Sequence, residues 1–139
     1  MRWIRLVLIV GVLVGAAGVV RGQSLAHSKW KTYYLPIGDS MEVSWGADSM
    51  TVTTGRGSVL LQSTFKVDSG IVILHDYGGE KGCALPGRYL IRIVADTMIL
   101  VVDSDRCEGR SSTLMAKRWV REMSPPARVR PTPKGKKKG

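Results

Sequence analysis

Residues 83–107 read CALPGRYLIRIVADTMILVVDSDRC, a segment that begins and ends with the two cysteines of the chain. Inside it, the apolar runs 88–94 and 97–103 flank a short turn at Ala95-Asp96. Both runs are rich in β-branched residues, which suit the pleated surface of a strand. Two such runs joined by a short turn predict an antiparallel hairpin.

The two cysteines are placed symmetrically about this hairpin. A turn centred between Ala95 and Asp96 puts Cys83 and Cys107 at nearly equal distances along the chain, one on each side. The two residues should therefore face each other just beyond the open end of the hairpin. We predict one disulfide between Cys83 and Cys107, and the alternative is a pair of free buried thiols.

Apolar and polar residues alternate with a period of two over most of residues 32–103. Short clusters of turn residues, such as Gly55-Arg56-Gly57, interrupt it at regular steps. Seven or eight short strands with short turns indicate an all-β fold, an antiparallel meander closed into a small barrel of about eight strands. Closure is favoured because it removes exposed sheet edges, and an open sheet packed on a helix is the alternative.

Three local predictions accompany this fold. The continuous apolar runs 71–74 and 98–102 indicate strands that are covered on both faces. Asp68-Ser69-Gly70 suits a three-residue hairpin loop with the glycine in the left-handed conformation. After Cys107 the hydrophobic period changes, and we expect a helical turn near 108–113 followed by a closing strand near 114–121.

The two ends of the chain differ from the body. Residues 1–22 combine a short basic start with an uncharged run of 15 residues, which is typical of a secretory signal peptide. An uncleaved anchor is the alternative, although a membrane-spanning helix needs about 20 apolar residues. Residues 123–139 are rich in proline and lysine and are predicted to form a disordered basic tail. The barrel domain is then 23–122, and we expect a secreted or periplasmic protein.

The net charge of +10 is concentrated at these ends. Residues 1–22 hold three arginines and residues 121–139 hold seven basic residues, whereas the body between them is nearly neutral. A neutral body argues against a nucleic-acid partner. The Lys-rich tail suits an anionic envelope surface, or it serves only to keep the chain soluble. We expect a monomer.

Motifs in the C-terminal half resemble those of a known family. They are Gly82-Cys83, Gly87-Arg88-Tyr89, Asp105-Arg106-Cys107-Glu108-Gly109-Arg110 and Arg118-Trp119. Together they resemble small secreted bacterial proteins with a lipocalin-like, calycin-type β-barrel, over about residues 65–121. The resemblance implies a meander barrel that binds a small molecule or a partner. It also implies that Arg110 or Arg118 covers Trp30 by a cation–π contact, with Trp119 on the closing strand.

No catalytic constellation stands out in the sequence. His75 and Asp76 are neighbours, and adjacent residues of a strand point to opposite faces, so they do not act together. The acidic turn Asp103-Ser104-Asp105 lacks the glycine and the spacing of an EF-hand loop, so we interpret it as a solvated turn. We therefore expect a protein that is not an enzyme and needs no cofactor or metal.

The aromatic residues define the candidate binding site. The interior of an eight-stranded barrel either fills with side chains or holds one small ligand. Filling is the simpler interpretation, and the sharper hypothesis is that Trp45, Phe65 and Tyr89 line an apolar pocket. The first functional hypothesis is an exported, non-enzymatic module that binds a small apolar or amphipathic ligand.

Two alternatives remain open at this point. One is a secreted inhibitor or interaction protein that acts on an extracytoplasmic hydrolase, with the frayed segment 23–31 or the loop 78–82 entering the cleft of the enzyme. The other is an envelope protein that is held in place by its basic tail.

Overall fold

The computed structural model describes residues 25–115 and 118–122, and its strands form a closed barrel in chain order. The strands are β1 (Ser28–Tyr34), β2 (Asp39–Trp45), β3 (Ser49–Thr54), β4 (Val59–Asp68), β5 (Ile71–Gly78), β6 (Gly87–Val94), β7 (Thr97–Ser104) and β8 (Trp119–Arg121). A 3-10 turn, Leu35–Ile37, joins β1 to β2, and the helix α1, Glu108–Leu114, lies between β7 and β8. The prediction of an all-β, eight-stranded antiparallel barrel is confirmed.

Every neighbouring pair of strands is antiparallel, so the connections alternate between the two ends of the barrel. The short turns at 46–48, 69–70 and 95–96 lie at one end, which we call the turn end. The 3-10 turn, the loop 79–86 and α1 lie at the other, which we call the helix end. The predicted helical turn is confirmed as α1, and the closing strand β8 is shorter than expected.

The β6–β7 hairpin has the predicted register. Val94 pairs with Thr97 and Tyr89 with Val102, and the register shifts by one residue between Arg88 and Tyr89. The strands thus bring the two cysteines together beyond the open end of the hairpin. The disulfide between Cys83 and Cys107 is present, with a Cα–Cα distance of 6.1 Å.

Large side chains occupy the interior of the barrel. Alternate residues of each strand face inward, which buries one aliphatic, aromatic or thioether side chain at nearly every inward position. The largest fully buried hydrophobic side chains are Trp30, Trp45, Trp119, Tyr89, Leu25, Met41, Met50, Leu61, Leu74, Met98 and Leu100. The simpler interpretation of the aromatic residues, as filling, accounts for this packing.

The outer faces of β5 and β7 are not covered, so the prediction for runs 71–74 and 98–102 is wrong. Val101 is 49% exposed, and it lies in register with Leu90, which is 47% exposed. Ile71 pairs with Leu90 from the other side. A single-layer barrel has only one buried face, and these three residues shield one another as an apolar row on the outside.

The β4–β5 turn also differs from the prediction. Asp68 pairs with Ile71, so the loop has two residues rather than three. Both of them have positive φ, 50° at Ser69 and 80° at Gly70. Positive φ at both central positions is the pattern of a type I′ turn, whose twist matches the twist of the flanking strands.

The predicted signal peptide, residues 1–22, and the predicted basic tail, residues 123–139, lie outside the described residues. Within residues 25–115 and 118–122, no helix is long and apolar enough to cross a bilayer.

Replacing both cysteines, Cys83→Ser with Cys107→Ser, should lower the free energy of unfolding by about 3 kcal/mol, because the crosslink restricts the unfolded chain over a separation of 24 residues. Urea denaturation of the purified protein measures this loss. Reduction with dithiothreitol should destabilise the wild type by a similar amount and leave the double variant unchanged. Equal unfolding midpoints for the two proteins would show that the crosslink contributes nothing.

Candidate functional site

The three residues of the aromatic pocket hypothesis are all buried. Trp45 is 1% exposed, Phe65 is 7% exposed and Tyr89 is fully buried. The rings of Trp45 and Phe65 meet edge to face, with centroids 5.0 Å apart, whereas the Tyr89 hydroxyl donates a hydrogen bond to Asp105. The indole N–H of Trp45 has no hydrogen-bond partner among the described residues. A pocket among these rings stays a prediction.

Trp30 is covered by Arg121, so the expectation of Arg110 or Arg118 is wrong. The Arg121 guanidinium carbon lies 4.3 Å from the centroid of the Trp30 ring. The physical reason is register, since Trp30 and Arg121 are direct partners in the β1–β8 pair. The Trp30 indole N–H donates to the Ser28 hydroxyl at 2.9 Å.

Trp119 lies on the closing strand β8, as expected. Trp119 is fully buried on β8 and donates its indole N–H to the Leu114 carbonyl at 3.3 Å. It also pairs in register with Met98 of β7. The side chain thus connects the end of α1 to the barrel interior.

Arg110 is buried in a cluster of charges beneath α1. Its Nη1 donates to Asp76 Oδ2 at 2.9 Å, and its Nε donates to Asp105 Oδ2 at 2.7 Å. Its Nη2 donates to Asp105 Oδ1 at 2.8 Å and to the Leu85 carbonyl at 2.7 Å. The three charged side chains are at most 2% exposed. We call these residues, with Tyr89, the Arg110 cluster.

Three further hydrogen bonds reach the two carboxylates. The Ser63 hydroxyl donates to Asp76 Oδ1 at 2.5 Å, and the Cys83 backbone N–H donates to Asp76 Oδ2 at 2.9 Å. The Cys107 backbone N–H donates to Asp105 Oδ1 at 2.8 Å. The cluster therefore holds the backbone of both disulfide cysteines.

Burial and hydrogen bonding shift the pKa values of Asp105, Tyr89 and Arg110. Burial acts to raise the pKa of Asp105, but the hydrogen bonds from Arg110, Tyr89 and the Cys107 N–H outweigh it and keep the pKa below its usual value. Burial and the Asp105 carboxylate raise the pKa of the Tyr89 hydroxyl. The pKa of Arg110 is raised by its two acidic partners, against the effect of burial. These shifts favour an ionised Asp105 and protonated Tyr89 and Arg110 at neutral pH.

The other residues considered for catalysis or metal binding do not come together in the structure. His75 is exposed, while the Asp76 side chain is buried, as expected for adjacent strand residues. Asp103 forms an ion pair with Arg88 at 3.1 Å. In the part of the chain that the structure describes, no three His, Cys, Asp or Glu side chains come together as a possible metal site.

A groove of about 550 Å³ lies outside the barrel at the helix end. Its walls are residues 32–36 on one side and Ser112, Met115 and Arg118 on the other. We call it the seam groove, because it continues the line along which β1 meets β8. β8 pairs with β1 only at Trp30 and Lys31 among the described residues, so β1 extends beyond β8 and leaves a gap beside α1.

The lining of the seam groove is mainly apolar and accessible. Leu35 is 82% exposed and Tyr33 is 62% exposed. Arg118 is also exposed and forms no hydrogen bond or ion pair with other described residues. Sequence reasoning named Arg118 for another role and missed Tyr33, Leu35 and Met115. The available signal was Tyr33-Tyr34-Leu35-Pro36, an apolar run where a connection between strands usually carries polar residues.

Substituting Arg110→Met should destabilise the fold by about 3–5 kcal/mol, because it leaves two buried carboxylates without a counter-charge. Urea denaturation at neutral pH measures this loss. Adding Asp76→Asn and Asp105→Asn should recover part of it. Arg106→Met, at an exposed position of the same segment, is the matched control and should change the stability by less than about 0.5 kcal/mol. Similar losses for the two single variants would contradict the role of the cluster.

Acidification should destabilise the protein through Asp105. Its pKa is lower in the folded state than in the unfolded state, so its contribution is present above the unfolded value, near 4, and is lost as the pH falls through the folded value. Denaturation midpoints between pH 7 and pH 2 measure this dependence. Asp105→Asn should flatten the acid slope, whereas Asp103→Asn, at an exposed carboxylate, should keep it. An unchanged slope in Asp105→Asn would count against this account.

Comparisons of the chain with protein-family models, with curated proteins and with solved structures gave no match. The resemblance to lipocalin-like proteins therefore stays a prediction, supported by the quoted motifs. The structure shows a closed eight-stranded barrel with one disulfide, and the seam groove lies on its outside.

Proposed function

We propose that the protein is an exported, non-enzymatic binding module that holds a small apolar or amphipathic ligand in the seam groove. The observation that carries this proposal is the groove itself, with a volume of about 550 Å³ and exposed apolar side chains. Pockets for small molecules usually measure about 300–1,000 Å³ and are lined mainly by apolar groups. Large side chains occupy the barrel interior, so the site lies on the outside.

The walls of the groove are held in place before any ligand binds. Residues 32–34 belong to β1, which is in continuous register with β2 from Ser28 to Tyr34. On the other wall, Ser112 belongs to α1, whose buried Arg110 is fixed by two carboxylates. Rigid walls favour binding because little conformational entropy is lost when the ligand arrives.

The export of the protein is part of this proposal. Disulfides persist in oxidising compartments and are rare in the cytosol, and the crosslink between Cys83 and Cys107 fits such a location. The N-terminal pattern of a basic start and an apolar run supports the same location. The proposed site of action is therefore secreted or periplasmic.

A second candidate function is inhibition of, or interaction with, an extracytoplasmic hydrolase. The loop at 79–82 is exposed, and its backbone is anchored by hydrogen bonds from Glu80 N–H to Val59 O at 3.0 Å and from Lys81 N–H to Leu60 O at 2.8 Å. An exposed loop of fixed shape suits insertion into a cleft. The prediction that a frayed segment 23–31 enters the cleft is wrong, because Leu25 is buried and β1 is paired from Ser28 onward.

Binding of N-phenyl-1-naphthylamine, an uncharged apolar dye, tests the first function. Fluorescence titration of the wild type should show saturable binding. Tyr33→Ser with Leu35→Ser should weaken it about tenfold, because two apolar contact surfaces are lost. Tyr77→Ser with Leu90→Ser is the matched control, since Tyr77 is as exposed as Tyr33, at 62%, and both residues lie on other strands.

The control variant should bind the dye as the wild type does. Equal affinity of the groove variant and the wild type would place the dye elsewhere and contradict the proposed site. Absence of saturable binding to the wild type would contradict the binding function as well.

A further inference from the structure

The seam groove combines two kinds of surface. Tyr33, Leu35, Pro36 and Met115 give it an apolar body, and Arg118 is the one charged residue among the described residues of its lining. None of these described lining residues is acidic. The described lining is therefore mainly apolar, with a positive charge at Arg118.

Arg118 is free to bind a ligand, unlike several other arginines of the barrel. Arg110 and Arg88 form ion pairs with carboxylates, and Arg121 lies over the Trp30 ring. Arg118 is exposed and has neither kind of partner in the part of the chain that the structure describes. A guanidinium without a partner offers up to five N–H donors to an incoming acceptor.

The chemistry of the ligand follows from this lining. A neutral apolar ligand would take water away from Arg118 without replacing its hydrogen bonds, which is unfavourable. A ligand with one anionic head group restores those bonds with charge-assisted ones, which are stronger than bonds between neutral groups. Its apolar portion then covers Tyr33, Leu35 and Met115.

The chain's own tail does not fit this requirement. Residues 123–139 carry Arg128, Arg130 and four lysines and contain no acidic residue. A segment of that charge is repelled by Arg118 rather than attracted. Its charge therefore does not complement Arg118, whereas that of an anionic ligand does.

From these observations we infer that the ligand of the seam groove is a small amphiphile with one anionic head group, and that Arg118 binds the head. This inference rests on the proposed binding function and adds the ligand class and the residue that selects it. Arg118 selects ligands by the charge of the head group. The apolar residues supply affinity that is common to charged and uncharged ligands.

Displacement of N-phenyl-1-naphthylamine by three ligands with similar chains tests the inference. Decanoate, decanol and decyltrimethylammonium have alkyl chains of nearly the same length and carry a negative, neutral or positive head, and all are used below their aggregation concentrations at pH 7.5. The wild type should bind decanoate about tenfold more tightly than decanol, and decyltrimethylammonium most weakly. Added salt should reduce the preference for decanoate.

Two variants test whether the preference for decanoate depends on the charge of Arg118. In Arg118→Gln, decanoate should bind no more tightly than decanol, and the affinity for decanol should not fall. In Arg118→Glu, the order should reverse in favour of decyltrimethylammonium. Arg92→Gln, at an exposed arginine on the outer face of β6, is the matched control and should keep the preference of the wild type. Far-ultraviolet circular dichroism confirms that each variant is folded.

The possible outcomes distinguish this inference from the proposed function. Equal affinity of the wild type for decanoate and decanol would overturn the inference and leave the proposed function standing. A preference for decanoate that survives Arg118→Gln would show that the head binds elsewhere, which also overturns it. Failure of the dye and all three ligands to bind would overturn both.

Discussion

The fold depends on the guanidinium of Arg110, which is shared between the carboxylates of Asp76 and Asp105 beneath α1. A buried charge of this kind is tolerated only when it is paired and hydrogen-bonded. Here the pairing joins β5, the segment after β7 and the helix. The same two carboxylates accept the backbone N–H groups of Cys83 and Cys107. The ionic cluster and the disulfide therefore fix the same end of the barrel.

The position of the seam groove follows from that constraint. The ion pairs of Arg110 hold α1 at the helix end, and the next described strand, β8, begins at Trp119 and has three residues. Because β8 is so short, the second half of β1 is paired on one side only among the described strands, with β2, and Ser112 of α1 lies across the groove on the other side. The groove lies where these two elements of different shape meet.

Much of the fold could be predicted from local patterns. The register of the β6–β7 hairpin and the disulfide followed from the symmetric spacing of Cys83 and Cys107 about Ala95-Asp96. Two features could not be read in this way. The partner of Trp30 depends on the register of β8 against β1, which pairs the two ends of the domain. The exposure of Val101 depends on the absence of a second layer among the described elements, which an apolar run does not reveal.

The candidate site was less accessible to sequence reasoning than the fold. The aromatic residues Trp45, Phe65 and Tyr89 have the right chemistry for a pocket, but the same residue types also fill a small barrel. The groove depends on where β8 begins, and a short terminal strand carries too few residues for a periodic pattern. Arg110 was noticed as part of a motif, yet its partners come from positions 34 and 5 residues away in the chain.

The brevity of β8 has a consequence for how the barrel opens. β8 contributes two register pairs to β1 and two to β7, fewer than any other pair of neighbouring strands that the structure describes. Local unfolding begins where the fewest contacts must break, so the barrel can unzip along this line while the other strands remain paired. A molecule that touches both β1 and the segment before β8 bridges the line of opening. A ligand that binds in the proposed site would therefore also increase the amide protection of β8.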